Sequence, residues 1–266
     1  MSRITSAFQT AQGENRAAFI AYVTAGDPSL ARTPEIVFGL ASAGADIIEL
    51  GVPFSDPIAD GPTNQRAAER ALSGGTSLTD VLTVVGEIRS RSEIPLVLFT
   101  YANPVISYGI DRFAEDAARV GVDGVLFTDV PEEELDRFLP TLRSAAIDPI
   151  LLVTSTSGKA RIRSASRTGG GFLYLVSRTG VTGARLDLDA DLEDLVIRTR
   201  KSSRLPVAVG FGISNADQVR KVANWADGVV VGSAIVNQVA AVGDSDELFS
   251  AVEAFTRPLV EMCRKI

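Results

Sequence analysis

The sequence of 266 residues contains no histidine. That absence excludes the Ser-His-Asp triad, the Cys-His pair and the usual His-based zinc sites. Cysteine is nearly missing as well. Cys263 stands alone, so no internal disulfide can form, which fits a reducing compartment. Only four lysines occur, Lys159, Lys201, Lys221 and Lys265, and none lies inside a strand-like run. This argues against a Schiff-base lysine in a sheet core, while Lys159, in a loop, stays open. No basic cluster offsets the net charge of −7, so nucleic acid and anionic membrane are poor partners. The opening stretch "MSRITSAFQTAQGENR" lacks the apolar core of a secretion signal. The longest apolar runs, "IPLVLF" and "DGVVVGSAIV", are too short to span a bilayer. A cytoplasmic chain is expected, and its acid–base chemistry falls to Asp, Glu or Tyr.

What is present is ordinary globular material, 45% hydrophobic with 23 Gly and 12 Pro. One arrangement recurs along it: a short apolar run, a Gly/Pro/Asp loop, then an amphipathic stretch. The apolar runs cover 18–26, 46–52, 95–101, 124–130, 149–155, 171–177, 206–212 and 227–233, with helical patterns such as 80–91, 111–121 and 191–202 between them. Strands this continuously apolar, alternating with helices, imply a parallel sheet covered on both faces. Eight such units fit a (β/α)8 TIM barrel, an architecture of about 250 residues. An open doubly wound sheet would carry a glycine fingerprint after its first strand, and "TAGDPSL" is not one. The expectation is a single domain, 1–266, of α/β class. An extra N-terminal helix is expected around Ile4–Ala11, an inserted helix after strand two, and a closing helix bent at Pro258.

Catalytic groups of such barrels sit at the C-terminal ends of the strands. There, "IIELGVPFSDPIADGPT" places Glu49 in the second strand and Asp60 on the loop that leaves it. Alternation puts Ile47, Glu49 and Gly51 on one face and Ile48 and Leu50 on the other. If the aliphatic pair packs outward, Glu49 points into the barrel near its mouth. A carboxylate there is either held in a structural ion pair with an arginine or is an acid/base raised by desolvation. Asp56, in "SDP", reads as turn chemistry.

The last three strands end in "SRTGVTGAR" (177–185), "GFGIS" (210–214) and "GSAIV" (232–236). Glycine-lined loops running into helix N-termini bind phosphate, although Ser214 and Ser233 would also serve as helix N-caps. The 177–185 stretch, with Arg178 and Arg185, reads as a lid. Asp27–Pro28 and Asp129–Pro131 read as helix starts. "YANP" (101–104) is ambiguous. Together these residues point to a barrel enzyme for a small phosphorylated substrate, working through carboxylates with no metal site expected.

Across essentially its whole length the sequence resembles the tryptophan synthase alpha subunit family. The motifs "YVTAGDP", "IELGVPFSDPIADGPT", "YANP", "FTDVP", "YLVSRTGVTGAR", "VGFGIS" and "DGVVVGSAIV" carry the likeness in order and spacing. The resemblance implies a lyase of tryptophan biosynthesis that cleaves indole-3-glycerol phosphate to indole and D-glyceraldehyde 3-phosphate. The alternative is a stand-alone lyase releasing free indole. The resemblance makes Glu49 and Asp60 the catalytic pair and Gly183, Gly212, Gly232 and Ser233 the phosphate cradle. It puts Tyr22, Phe99, Tyr174, Thr182 and Phe211 around the substrate. It implies no cofactor in this chain and a pyridoxal-phosphate beta subunit as partner in an alpha2beta2 heterotetramer. Pro53–Asp60, Tyr101–Pro104 and Pro131–Glu134 would lie near that interface.

Overall fold

The computed structural model describes residues 2–176, 190–210 and 212–265. Eight parallel strands close in sequence order into a barrel: β1 (Ala18–Thr24), β2 (Ile47–Gly51), β3 (Leu96–Thr100), β4 (Gly124–Phe127), β5 (Asp148–Thr154), β6 (Leu173–Val176), β7 (Val207–Gly210) and β8 (Gly228–Val231), with β8 pairing β1. Each strand falls inside an expected apolar run except β5, which begins one residue earlier at Asp148. The expected runs were longer mainly because Gly and Pro loops at their ends are also apolar.

Helices follow the strands in order: α1 (Arg3–Gly13) before β1; α2 (Thr33–Ala43); α3 (Pro62–Ser73) and α4 (Leu78–Arg89) after β2; α5 (Ala102–Tyr108) and α6 (Ile110–Val120) after β3; α7 (Leu139–Ser144); α8 (Lys159–Thr168); α9 (Ala190–Ser202); α10 (Ala216–Trp225); α11 (Ser233–Val242); and α12 (Leu248–Glu261). The inserted helix after strand two is α3. It starts at Pro62, whose missing N–H costs nothing at a first helical position, and α4 opens with a Ser77–Asp80 capping box. The closing helix α12 continues through Pro258 to Glu261. No helix of the described residues is long and apolar enough to cross a membrane.

Two apolar layers follow from strand alternation. Phe19, Ile48, Leu50, Leu98, Val125, Leu175 and Val209 face the surrounding helices, whereas Ile20, Ile47, Val97, Leu126, Ile150 and Ala208 fill the barrel. At the N-terminal end α1 plugs the barrel: Ile4 and Phe8 join the inner cluster, and Phe8 packs on Phe172 with ring centroids 5.5 Å apart. Ion pairs fix this end. Arg16 reaches both oxygens of Asp46 at 2.6 and 2.8 Å, and Asp123 receives Arg89 at 2.8 Å and Arg3 at 3.1 Å.

Two sequence expectations are corrected. A helical turn does follow Asp27–Pro28, the 3-10 segment Leu30–Arg32 that leads into α2, but Ser29 precedes it; Asp27 is 2% exposed and takes a bidentate pair from Arg70 of α3 at 2.7 and 2.8 Å. Asp129 accepts the backbone N–H of Ala102 at 2.9 Å, so it caps α5, a helix from the neighbouring strand's loop. The helical turn after Pro131 does form, as a short 3-10 segment, Glu132–Arg137. In both cases the carboxylate found a partner distant in sequence that outcompeted the local cap.

Candidate active site

In β2 the outward pair Ile48 and Leu50 is fully buried against the helices, and Glu49 therefore points inward, opposite Tyr22 in the register with β1. Glu49 is 0% exposed. Neither Oε1 nor Oε2 has a hydrogen-bond partner, and among the described residues no cation pairs with it. The structural ion-pair reading is thus set aside. Burial alone raises its carboxyl to about 8, because the charged form is denied water and nothing replaces it. At neutral pH Glu49 holds a proton.

Asp60 lies at the end of the β2–α3 loop. That loop is fixed by its own turns, Ile58 N–H to Asp56 carbonyl at 2.8 Å and Asp60 N–H to Pro57 carbonyl at 3.0 Å, and by Gln65 Nε2 donating to the Asp60 carbonyl at 2.9 Å. Asp56 serves the turn, its Oδ2 accepting from Ser55 Oγ at 2.6 Å. The Asp60 carboxylate accepts from the Tyr101 hydroxyl at 2.9 Å. Burial pushes Asp60 above the usual carboxylate range, while hydrogen bonds from Tyr101 and Asn64 pull it back. The two carboxyls so differ in kind: Glu49 is bare and dry, and Asp60 is hydrogen-bonded.

A cavity of about 250 Å³ at the barrel mouth is lined by Glu49 together with Tyr22, Phe99, Tyr174, Val230, Thr63, Asn64, Gly212, Ile213, Gly232 and Ser233. Its aromatic wall is set by a T-shaped pair, Tyr22 on Phe99, with centroids 5.1 Å apart. Glycine makes room for the tyrosines: a Cβ at Gly51 would sit 2.4 Å from the Tyr22 hydroxyl oxygen, and one at Gly210 would sit 2.0 Å from that of Tyr174. Burial raises both phenols above their ordinary value, with Glu49 and Asp60 contributing, so both remain neutral.

The anion end of the cavity is backbone. Gly232 is the N-cap of α11 and Ser233 its first residue, so the first-turn amides precede the first intrahelical bond, Val236 N–H to the Gly232 carbonyl. Gly212 has φ +90°, a left-handed turn that glycine adopts without strain. The N-cap expectation for the serines is not met. Asn215, accepting from Gln218 N–H at 3.0 Å, caps α10, and Ser214 is instead held through its own N–H by Gln218 Oε1 at 2.8 Å.

Of the sequence-designated residues, the structure therefore gathers Glu49, Tyr22, Phe99, Tyr174, Gly212, Gly232 and Ser233 around one cavity, with Asp60 beside it. Thr182, Gly183, Phe211 and the 177–185 lid with Arg178 and Arg185 lie outside the described residues. Sequence reasoning missed Tyr101 and Asn64. Tyr101 was legible as the end of the third strand and as a neighbour of the expected interface, not as a partner of Asp60, and Asn64 as one polar residue in a helical pattern. Asn64 Oδ1 is buried without a partner, an acceptor facing a site and not a bond. Among the described residues no three Asp, Glu or Cys side chains group closely enough to hold a metal ion.

Fold and site together define a (β/α)8 barrel with a buried, unpartnered carboxyl in a glycine-edged mouth cavity. The sequence profile described as tryptophan synthase alpha chain matches residues 8–263. The chain is 48% identical over 259 residues to the tryptophan synthase alpha chain of Solibacter usitatus, covering 97% of each. It is 50% identical over 236 residues to that of Geobacter sulfurreducens, covering 89% of each. Its structure is similar to tryptophan synthase subunit alpha from Legionella pneumophila, with TM-score 0.91 and 32% identity over 99% of this chain and 98% of that one. It is also similar to a chain of Mycobacterium tuberculosis tryptophan synthase, with TM-score 0.89 and 37% identity over 99% and 98%. The chain belongs to the tryptophan synthase alpha chain family.

Proposed function

We propose that the mouth cavity is where this chain carries out the alpha reaction of tryptophan biosynthesis, the retro-aldol cleavage of indole-3-glycerol phosphate to indole and D-glyceraldehyde 3-phosphate. The observation that carries the reading is Glu49, fully buried at the cavity's base with both oxygens unpartnered.

A retro-aldol step needs a place for the electron pair of the breaking C–C bond. Protonation of indole C3 makes the ring that place, since N1 of the resulting indoleninium accepts the pair. Glu49, protonated at neutral pH, donates to C3, and its carboxylate then takes the proton of the substrate hydroxyl as the C–C bond breaks. One proton is delivered and one recovered, so Glu49 ends as it began. Asp60, kept nearer its ordinary range by Tyr101 and Asn64, accepts the N1–H hydrogen bond and stabilises the positive charge that develops there. Gly212, Gly232 and Ser233, with Gly183, hold the phosphate at the α11 N-terminus. In this reading Tyr22, Phe99 and Tyr174 enclose the ring, and Phe211 and Thr182 are assigned to the same pocket.

The partner in this reading is a beta subunit carrying pyridoxal phosphate, in an alpha2beta2 assembly, and this chain holds no cofactor of its own. Ile58, 80% exposed in the β2–α3 loop, and Ile106, 40% exposed in α5, offer apolar contacts on segments that follow adjacent strands, which supports a docking face there. The stand-alone lyase reading is not favoured, because the relatives are named as chains of tryptophan synthase. The test is indole-3-glycerol phosphate cleavage by the full chain, with and without a beta subunit. Glu49→Gln should bind substrate but turn over at least about 10²-fold more slowly. A rate within twofold of the parent would overturn the assignment.

A further inference from the structure

We infer that Tyr101 is a positioning residue for Asp60: its hydroxyl bridges the carboxylate and the loop backbone, so that the end of β3 sets where the β2–α3 loop presents that acid. The inference rests on the proposed role of Asp60.

The geometry is a three-point clamp. The Tyr101 hydroxyl donates to Asp60 Oδ2 at 2.9 Å and accepts the N–H of Ala59, the preceding residue, at 3.0 Å. One oxygen thus uses its proton and a lone pair on two consecutive residues of a loop that no sheet supports. The ring cannot swing to follow the loop, since Tyr101 is 3% exposed and lies 5.1 Å, centroid to centroid, from Phe54 at the loop's other end. Phe54 and Asp60 bracket the loop, and Tyr101 touches both. Tyr101 is also the N-cap of α5, whose first N–H, on Ala102, is taken by Asp129 at 2.9 Å. Three strand ends are therefore locked in series, β2 by its loop, β3 by Tyr101 and β4 by Asp129.

A donor aimed at the carboxylate favours its charged form. The hydroxyl's own proton is secure, because burial and the neighbouring Asp60 both raise the Tyr101 phenol above its ordinary value. Among the described residues the other titratable groups near Asp60 are Tyr22 on β1, Glu49 on β2 and Tyr174 on β6. The tyrosines stay neutral in the working range, and Glu49, at about 8, marks the alkaline limb. Of these groups Asp60 is the one that loses its charge on the acid side, so it contributes to the acid limb.

The experiment compares the full chain with Tyr101→Phe, Asp60→Asn and the double variant, each with and without a beta subunit, following kcat, KM and the pH profile of indole-3-glycerol phosphate cleavage. Tyr101→Phe keeps the ring and loses only the hydroxyl. It should lower kcat about tenfold, leave KM within about twofold and move the acid limb to higher pH. In the Asp60→Asn background it should change kcat less than twofold. Site-specific 3-fluorotyrosine at position 101, a stronger donor of nearly the same shape, should move the acid limb the other way, and serves if the phenylalanine variant unfolds. A normal rate for Asp60→Asn would overturn the Asp60 role itself. With Asp60→Asn impaired, an unshifted acid limb in Tyr101→Phe, or a kcat loss that persists undiminished in the double variant, would overturn the positioning role alone.

Discussion

At the residue scale, the informative contrast is between two acids less than a dozen positions apart. Glu49 was legible in the sequence because strand alternation fixes which side chains share a face, and a carboxylate on the face opposite Ile48 and Leu50 has only the barrel to enter. Its state was not legible: whether an arginine met it depended on residues from other strands. The bare carboxyl that results ties stability to pH. Its folded value is raised to about 8 from an ordinary 4.5, so the folded chain binds more protons than the unfolded one between those two values. Its contribution is fully present below about pH 4.5 and is lost as pH rises through about 8. Glu49→Gln, which cannot ionise, should therefore gain on the parent as pH rises. Denaturant melts at pH 5 and pH 8 should show the difference between the two proteins growing by an amount on the order of 2–4 kcal/mol. A difference independent of pH would mean that Glu49 is ionised in the folded state. Tyr101 and Asn64 escaped sequence reading for the same reason that the Asp27 and Asp129 expectations failed. Each acts on a group brought near only by barrel closure, and side-chain partners across strands leave no local pattern.

At the scale of elements, the strands and most helices were visible as alternating apolar runs and amphipathic stretches, and the structure keeps their order. Helix α5 was not, because "YANP" is ambiguous between loop and helix start. Its Pro104 sits in the first turn, where a missing N–H is tolerated, and Asp129 supplies the cap from outside. The phosphate end rests on a different elementary property, the unpaired amides at the start of α11. Placing a carboxylate there should repel an anionic substrate where the helix otherwise attracts it. Ser233→Asp should raise KM for indole-3-glycerol phosphate at least about tenfold while kcat at saturation changes little. The start of α11 is only partly buried and acidic residues suit a first turn, so thermal unfolding should stay within a few degrees of the parent. An unchanged KM would place the phosphate elsewhere.

At the scale of the whole molecule, the barrel separates its labour by end. The C-terminal mouth carries unpartnered polar atoms, both oxygens of Glu49 and Oδ1 of Asn64, beside tyrosines that fit only because glycines face them. The opposite end pairs most of its charges, although Asp148 at the start of β5 keeps one buried oxygen, Oδ2, without a partner. Arg16 gives two hydrogen bonds to Asp46 and another to Glu14 at 2.7 Å, and Asp46 also takes the N–H of Phe19 at 2.7 Å, tying the start of β1 to the turn before β2. This asymmetry predicts that damage at the two ends will be read by different instruments. Asp46→Ala leaves the half-buried Arg16 guanidinium without its bidentate partner and orphans the Phe19 amide. The loss should cost about 3 kcal/mol of folding stability. Because the Asp46 side chain is engaged with Arg16 and Phe19 below the start of β2, and not with Glu49 or Asp60, kcat and KM measured well below the melting temperature should remain within about twofold of the parent. The comparison with Glu49→Gln is then reciprocal: one variant should lose turnover with its fold intact, the other fold stability with its turnover intact. A fall in kcat for Asp46→Ala at temperatures where the protein is fully folded would show that the two ends are mechanically coupled through the strands, and that the barrel is not the rigid frame this division of labour requires.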